Sequence, residues 1–129
     1  MPSASSITLA DGQATPVNHT FDPLSVTPSQ SLLVDKSSVT SGGMNQLIVG
    51  LDPSKSSRRT NRVSIRFNMP IEQTVSGVTE VAYTARFSAD VILPDQMTQA
   101  ERDDMGAFIK NALSDSVVNA IITDLDPLY

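Results

Sequence analysis

The chain has 129 residues, a formal net charge of −5, 40% apolar content, no Trp and no Cys. That length fits one domain with a modest core, while the missing thiols exclude a disulfide scaffold, a cysteine-ligated zinc site and thiol catalysis. The apolar runs are too short to span a membrane, and "MPSASSITLA" lacks the basic n-region and apolar stretch of a secretory signal.

The first two thirds read as strands separated by turn residues. "SITLA" (Ser6 to Ala10), a turn at Asp11-Gly12 and "ATPVNHTF" predict an N-terminal hairpin over residues 1–21. Pro16 cannot donate to a ladder, so the second strand should lie at an edge or start late. Asp22 to Gln30, with Pro23 and Pro28, reads as a loop. "SLLVDK" is a third strand and "NQLIVGLD", Asn45 to Asp52, a fourth, with Leu47, Val49 and Leu51 on one face and Gln46, Ile48, Gly50 and Asp52 on the other.

"NRVSIRFNMP" follows, placing Val63, Ile65, Phe67 and Met69 on an oily face and Arg62, Ser64, Arg66 and Asn68 on a polar one. "IEQTVSGV", from Ile71 through Glu72, Gln73, Thr74, Val75, Ser76 and Gly77 to Val78, reads as part strand and part exposed loop. In the long strand Thr79 to Leu93 the alternation recurs. Tyr83, Ala85, Phe87, Ala89 and Val91 share one side, with Thr84, Arg86, Ser88 and Asp90 opposite.

Pro94 ends the strands and the period changes. Thr98 and Glu101 fit a capping box, and Met105, Phe108, Ile109 and Ala112 recur at helical spacing as an apolar stripe. A second short helix carries Val118, Ile121, Ile122 and Leu125 before Pro127. The fold class is therefore α+β: an antiparallel sheet of five to seven strands (the main sheet within 31–93), then two helices within 97–124. The oily sheet face, with Phe67 and Phe87, needs a cover, and the helix stripe is the one the chain offers.

Catalytic constellations are missing. There is no G-x-S-x-G, Gly-Lys phosphate loop or H-E-x-x-H, and the only histidine, His19, reads as a surface or turn residue in an edge strand. No cofactor or metal is implied. Asp103, Asp104, Asp124 and Asp126 read as solvated helix ends.

The charges, however, are segregated. Lys55, Arg58, Arg59, Arg62 and Arg66 fall between Pro53 and Ile71 with no acidic residue among them, while all fourteen carboxylates lie elsewhere. Residues 62 to 68 span roughly 20 Å at about 3.3 Å per residue, enough to follow several phosphates. Arginine grips phosphate bidentately, and Ser and Asn can reach base edges. The same pattern also fits a solvated strand face whose arginines pair with Asp90, Asp52 or Glu80, and Lys55, Arg58 and Arg59 fit a solvated loop.

With this order of elements the chain resembles the coat proteins of single-stranded RNA bacteriophages of the levivirus type. The resemblance rests on the N-terminal hairpin, "SS…NRVSIRFNMP", "QTVSGV", the strand ending "ADVILP" and the helices ending "DPLY". It implies an interlocked homodimer with one continuous sheet, each subunit laying its helices over its partner, with Met105, Phe108, Ile109, Phe67 and Phe87 in the shared core. It implies an icosahedral shell around genomic single-stranded RNA, assembled in the bacterial host cytoplasm, with a phage maturation protein as a further partner and no membrane. The family also binds an RNA hairpin at the replicase start.

By position, Arg62, Ser64, Arg66 and Asn68, then Arg86, Ser88 and Asp90, and less closely Gln46 and Ile48, match the RNA-facing side. Ile71 to Val78 matches the assembly loop around the symmetry axes, shorter here than in well-known members. Ile48 and Gly50 stand where polar residues are expected. Other readings are a dimeric RNA-binding regulator without a shell and an adhesin-like surface protein.

Overall fold

The computed structural model describes residues 4–38, 40–125 and 127. It divides into two compact units, one ending at Ile92 and the other beginning at Leu93. Expectations that touch Asp126, Leu128 and Tyr129 lie outside the described residues.

The first unit is a six-stranded antiparallel sheet in which every strand lies beside its sequence neighbour: β1 (Ile7–Ala10), β2 (Asn18–Val26), β3 (Gln30–Asp35), β4 (Asn45–Asp52), β5 (Thr60–Val75) and β6 (Val78–Pro94). Strict alternation sets its two faces. Leu33 pairs with Leu47, Leu47 with Phe67, Val49 with Ile65 and Leu51 with Val63, so the apolar positions of neighbouring strands coincide. A one-residue slip would turn each of these side chains to the opposite face. Phe21, Leu33 and Leu47 form the buried centre, flanked by Val49, Ile65 and Phe67. The Phe21 and Phe67 rings meet edge to face, with centroids 5.8 Å apart, the arrangement favoured by their quadrupoles.

One sequence expectation is corrected and two are narrowed. Asp22 to Gln30 is not a loop: β2 runs on to Val26. Pro23 is accommodated because the β2–β3 register shifts between Pro23 and Ser25, and a bulge tolerates a residue without an amide donor. Nor does the second strand lie at an edge, because β1 covers it; it starts late, after Pro16. The segment 71–78 is mostly strand. β5 and β6 extend to a two-residue turn, Ser76-Gly77, whose φ values of 52° and 81° are both positive, the backbone that matches the twist of a tight hairpin. Across the hairpin Thr74 and Thr79 hydroxyls lie 3.1 Å apart, and Gln73 Nε2 donates to Glu80 at 3.4 Å.

The second unit holds α1 (Gln99–Ser114) and α2 (Ser116–Asp124). Both arms of the expected capping box form: Glu101 N donates to Thr98 Oγ1 at 3.3 Å, and Thr98 N donates to Glu101 Oε2 at 2.9 Å. Asp115 separates the helices and caps the second, accepting from the amides of Val117 and Val118. Neither helix has a buried residue. Phe108, expected to cover the oily sheet face, is 71% exposed in the single chain, and Met105 is exposed with it. Phe87 of β6 is 41% exposed. The apolar stripe of α1 is thus bare in the single chain.

Candidate nucleic-acid interface

The polar face of the central strands is built by the same pairing that builds the core. Opposite one another across β4 and β5 stand Gln46 and Asn68, Ile48 and Arg66, Gly50 and Ser64, and Asp52 and Arg62. Asn68 donates its amide to Gln46 Oε1 at 3.3 Å, joining the two side chains across the ladder. β6 adds Thr84 and Arg86. With Gln46, Ile48, Arg66 and Asn68 they border an open depression of about 450 Å³. Ser88 and Asp90 follow Arg86 at intervals of two along the same strand, and so share its face.

The arginines divide into two kinds. Arg58 is bound into the β4–β5 connection: its Nη2 lies 2.9 Å from Asp52 Oδ2, and its guanidinium donates to the carbonyls of Pro53 and Thr60. Lys55 Nζ stands 3.8 Å from Asp52. The Arg58 hydrogen bond holds the Asp52 carboxyl below the usual carboxylate range against partial burial, and the charges of Arg58, Lys55 and Arg62 act in the same direction. Among the described residues Arg62, Arg66 and Arg86 form no ion pair. Of the three carboxylates on which those arginines might have closed, Asp52 is taken by Arg58, Glu80 accepts from Gln73, and Asp90, on the same face as Arg86, forms no ion pair among the described residues. Three guanidiniums without an ion pair among the described residues therefore share one sheet face.

Two positions have steric explanations. A Cβ at Gly50 would sit 2.9 Å from the Ser29 carbonyl oxygen and 3.1 Å from Ser64 Oγ. A polar side chain is thus missing there because neighbouring backbone and Ser64 occupy its space. At the far end of β5, Glu72 accepts the Ser38 hydroxyl and, at 3.4 Å, the Thr40 hydroxyl. One member of the proposed assembly segment is thereby tied to the β3–β4 connection.

A second polar cluster was not visible in the sequence. His19 lies on β2, not at an edge, with Nδ1 2.8 Å from Asp35 Oδ2 and Nε2 3.1 Å from Asp11 Oδ2. Asp35 is only 4% exposed. Burial pushes its carboxyl up, but hydrogen bonds from Ser37 and the His19 ring outweigh this and leave it below its ordinary range. Asp11 is held low first by the Val17 amide and then by His19. The hydrogen bonds to Asp11 and then Asp35 raise His19. The register that pairs Leu9 with His19 and Phe21 with Asp35 assembles the cluster. Only the strand order could have revealed it.

Among the described residues no group of His, Asp or Glu side chains is arranged to hold a metal ion, and no helix is long and apolar enough to cross a membrane.

A six-strand meander followed by two capped helices, with arginines grouped on one sheet face, can be compared with known proteins. The family model described as Levivirus coat protein matches residues 2–129. The chain belongs to the levivirus coat protein family. As a coat protein it is a structural, capsid-forming component of a virion and not an enzyme.

Solved structures agree. The virus-like particle of bacteriophage ESE058 has 30% identity and a TM-score of 0.88, covering 99% of this chain and 100% of that one. That of bacteriophage NT-214 has 28% identity and a TM-score of 0.85, covering 97% and 98%. The virus-like particle of Beihai levi-like virus 21 shares the fold at 17% identity, with a TM-score of 0.89 and 99% of each chain covered. No curated protein matches the chain.

Proposed function

We propose that this coat protein works as an interlocked homodimer, that its dimers close into an icosahedral shell, and that the polar sheet face lines the interior and holds single-stranded genomic RNA. The guanidiniums of Arg62, Arg66 and Arg86, which form no ion pair among the described residues and share one face, support the RNA contact. Phosphate oxygens are the ligands that planar, multiply donating cations of this kind take best. Ser64, Asn68, Gln46, Ser88 and Asp90 supply the polar groups beside them that could distinguish bases, including those of an RNA hairpin bound for packaging and translational repression.

The dimer is supported from the other side of the molecule. β6 is a 17-residue edge strand, and an open edge of that length invites pairing with a second copy. Two copies joined there would form one continuous sheet. The helices, bare in the single chain, would then find their cover across the partner, so that the whole chain acts as one coat domain. The narrow hairpin tip from Ile71 to Val78 would make contacts at the symmetry axes. A maturation protein would be a further partner, and assembly would take place in the bacterial host cytoplasm.

Expression of the chain alone followed by size-exclusion chromatography, nuclease treatment and absorbance at 260 against 280 nm tests this reading. Large particles with nuclease-protected RNA are expected. A dimer that binds RNA without assembling would instead make the chain an RNA-binding regulator, and particles free of RNA would remove the role given to the arginine face.

A further inference from the structure

The Asp11–His19–Asp35 cluster lies apart from the arginine face and plays no part in the function proposed above. Leu9, which pairs with His19, and Phe21, which pairs with Asp35, belong to the apolar side of the sheet. Both ring nitrogens of His19 face carboxylate oxygens, at 2.8 and 3.1 Å. An ionised carboxylate only accepts hydrogen bonds, so with both carboxylates ionised the imidazolium is the form in which both nitrogens can donate.

Each carboxylate also organises a turn. Asp11 Oδ1 accepts from the amides of Val17, at 3.0 Å, and Gln13, at 3.3 Å, and so closes the β1–β2 connection. Asp35 Oδ1 accepts from the Ser37 amide at 3.1 Å and so turns the chain out of β3. The His19 ring joins these two turns.

We propose that Asp11, His19 and Asp35 form a proton-operated latch that fixes the tip of the β1–β2 hairpin to the end of β3. Protonated, the ring holds both turns. Neutral, it retains one donor and turns a lone pair toward the other carboxylate. Asp35 is the more deeply buried partner (side-chain exposure 6% against 22% for Asp11) and its bond is the shorter, so Asp11 is the partner released, and the Val17 and Gln13 amides loosen with it.

The cluster borders a cavity of about 570 Å³ whose titratable lining residues are these three and Glu72 of β5. Glu72 is already engaged by the Ser38 and Thr40 hydroxyls. The lining residues from β1 and β4, Leu9, Ala10 and Asn45, bring no charge. Because His19 is raised by its partners, the latch is closed below the ordinary histidine range and opens as pH rises through the folded value.

The chain has a single histidine, so its imidazole 15N signals report on one residue. The test uses the full-length protein in its purified oligomer, labelled with 15N at histidine and followed by solid-state NMR, with hydrogen–deuterium exchange across residues 11–19. The expected results are a His19 midpoint above 6.5 and a loss of Val17 amide protection, by about tenfold or more, over the same pH interval after correction for intrinsic exchange. Asp11→Asn should move the midpoint down and abolish the coupled step, and His19→Gln should remove the pH dependence of protection. A midpoint at or below 6.5, or Val17 protection that stays flat while His19 titrates, would overturn the latch. The Asp11→Asn comparison decides the matter if His19→Gln fails to fold.

Discussion

Arg66 of β5 lies directly across the ladder from Ile48 of β4, so its neighbour in register is aliphatic and leaves its charge uncompensated. Asp52, the acidic residue on that face of β4, stands opposite Arg62 and is held by Arg58 instead. A guanidinium without an ion pair is available to a ligand. Replacing Arg66 and Arg86 together with Ala should weaken RNA binding and flatten its dependence on salt, by roughly 0.7 in log–log slope for each single-strand phosphate that is no longer neutralised. Filter binding across a salt series measures both. Unchanged affinity and slope would assign these arginines to the fold alone.

Arg58 should behave differently. Its partner Asp52 is held below the ordinary carboxylate range, so the ionised pair stabilises the β4–β5 connection above the unfolded value near 3.8. That contribution is lost as pH falls through the folded value. Asp52→Asn should therefore be less stable than the parent near neutrality and should show a shallower acid-induced loss. Chemical denaturation between pH 7 and 3 would reveal the convergence, and parallel curves for the two proteins would contradict it.

Gly50 is fixed by space and not by backbone angle. A methyl group there would approach the Ser29 carbonyl to 2.9 Å, and backbone cannot swing aside as a flexible side-chain end can. Gly50→Ala should destabilise the sheet by about 1–3 kcal/mol, the usual range for overpacking. Equilibrium unfolding in urea is the measurement. A neutral result would mean that β3 and β4 separate readily at this end.

Much of this organisation was legible in the residues, and the exceptions share a cause. The faces of β4 and β5 follow from period-two alternation, and the start of α1 from Thr98 and Glu101, because in each case the signal is local. Pro23 was misleading because the bulge that accommodates it belongs to the pairing with β3. The 71–78 segment read as partly loop because its polar residues resemble one, although Ser76-Gly77 alone makes the turn. His19 was opaque because Asp35 reaches it only through strand pairing. For the arginine face, alternation gave the grouping, but only the positions of Arg58 and Asp52 decided which charges are free.

Phe108 separates the single chain from its assembly. At 71% exposure, its truncation would cost an isolated chain little, since surface substitutions usually stay within about 0.5 kcal/mol. In an interlocked dimer the same ring would be buried against the partner, and Phe108→Ala would cost roughly 3–5 kcal/mol through reduced burial and the cavity left behind. Because folding would then be linked to association, the melting temperature should rise with protein concentration, and the variant should need more protein to reach the parent's value. Replacing Gly77 (φ 81°) with Val would strain only the hairpin tip, sparing the dimer while impairing the shell. Thermal melts at several concentrations and electron microscopy of both variants form the test. A Phe108→Ala protein that melts like the parent at every concentration would place the dimer contact elsewhere, and a Gly77→Val protein that loses the dimer would make the tip part of the core.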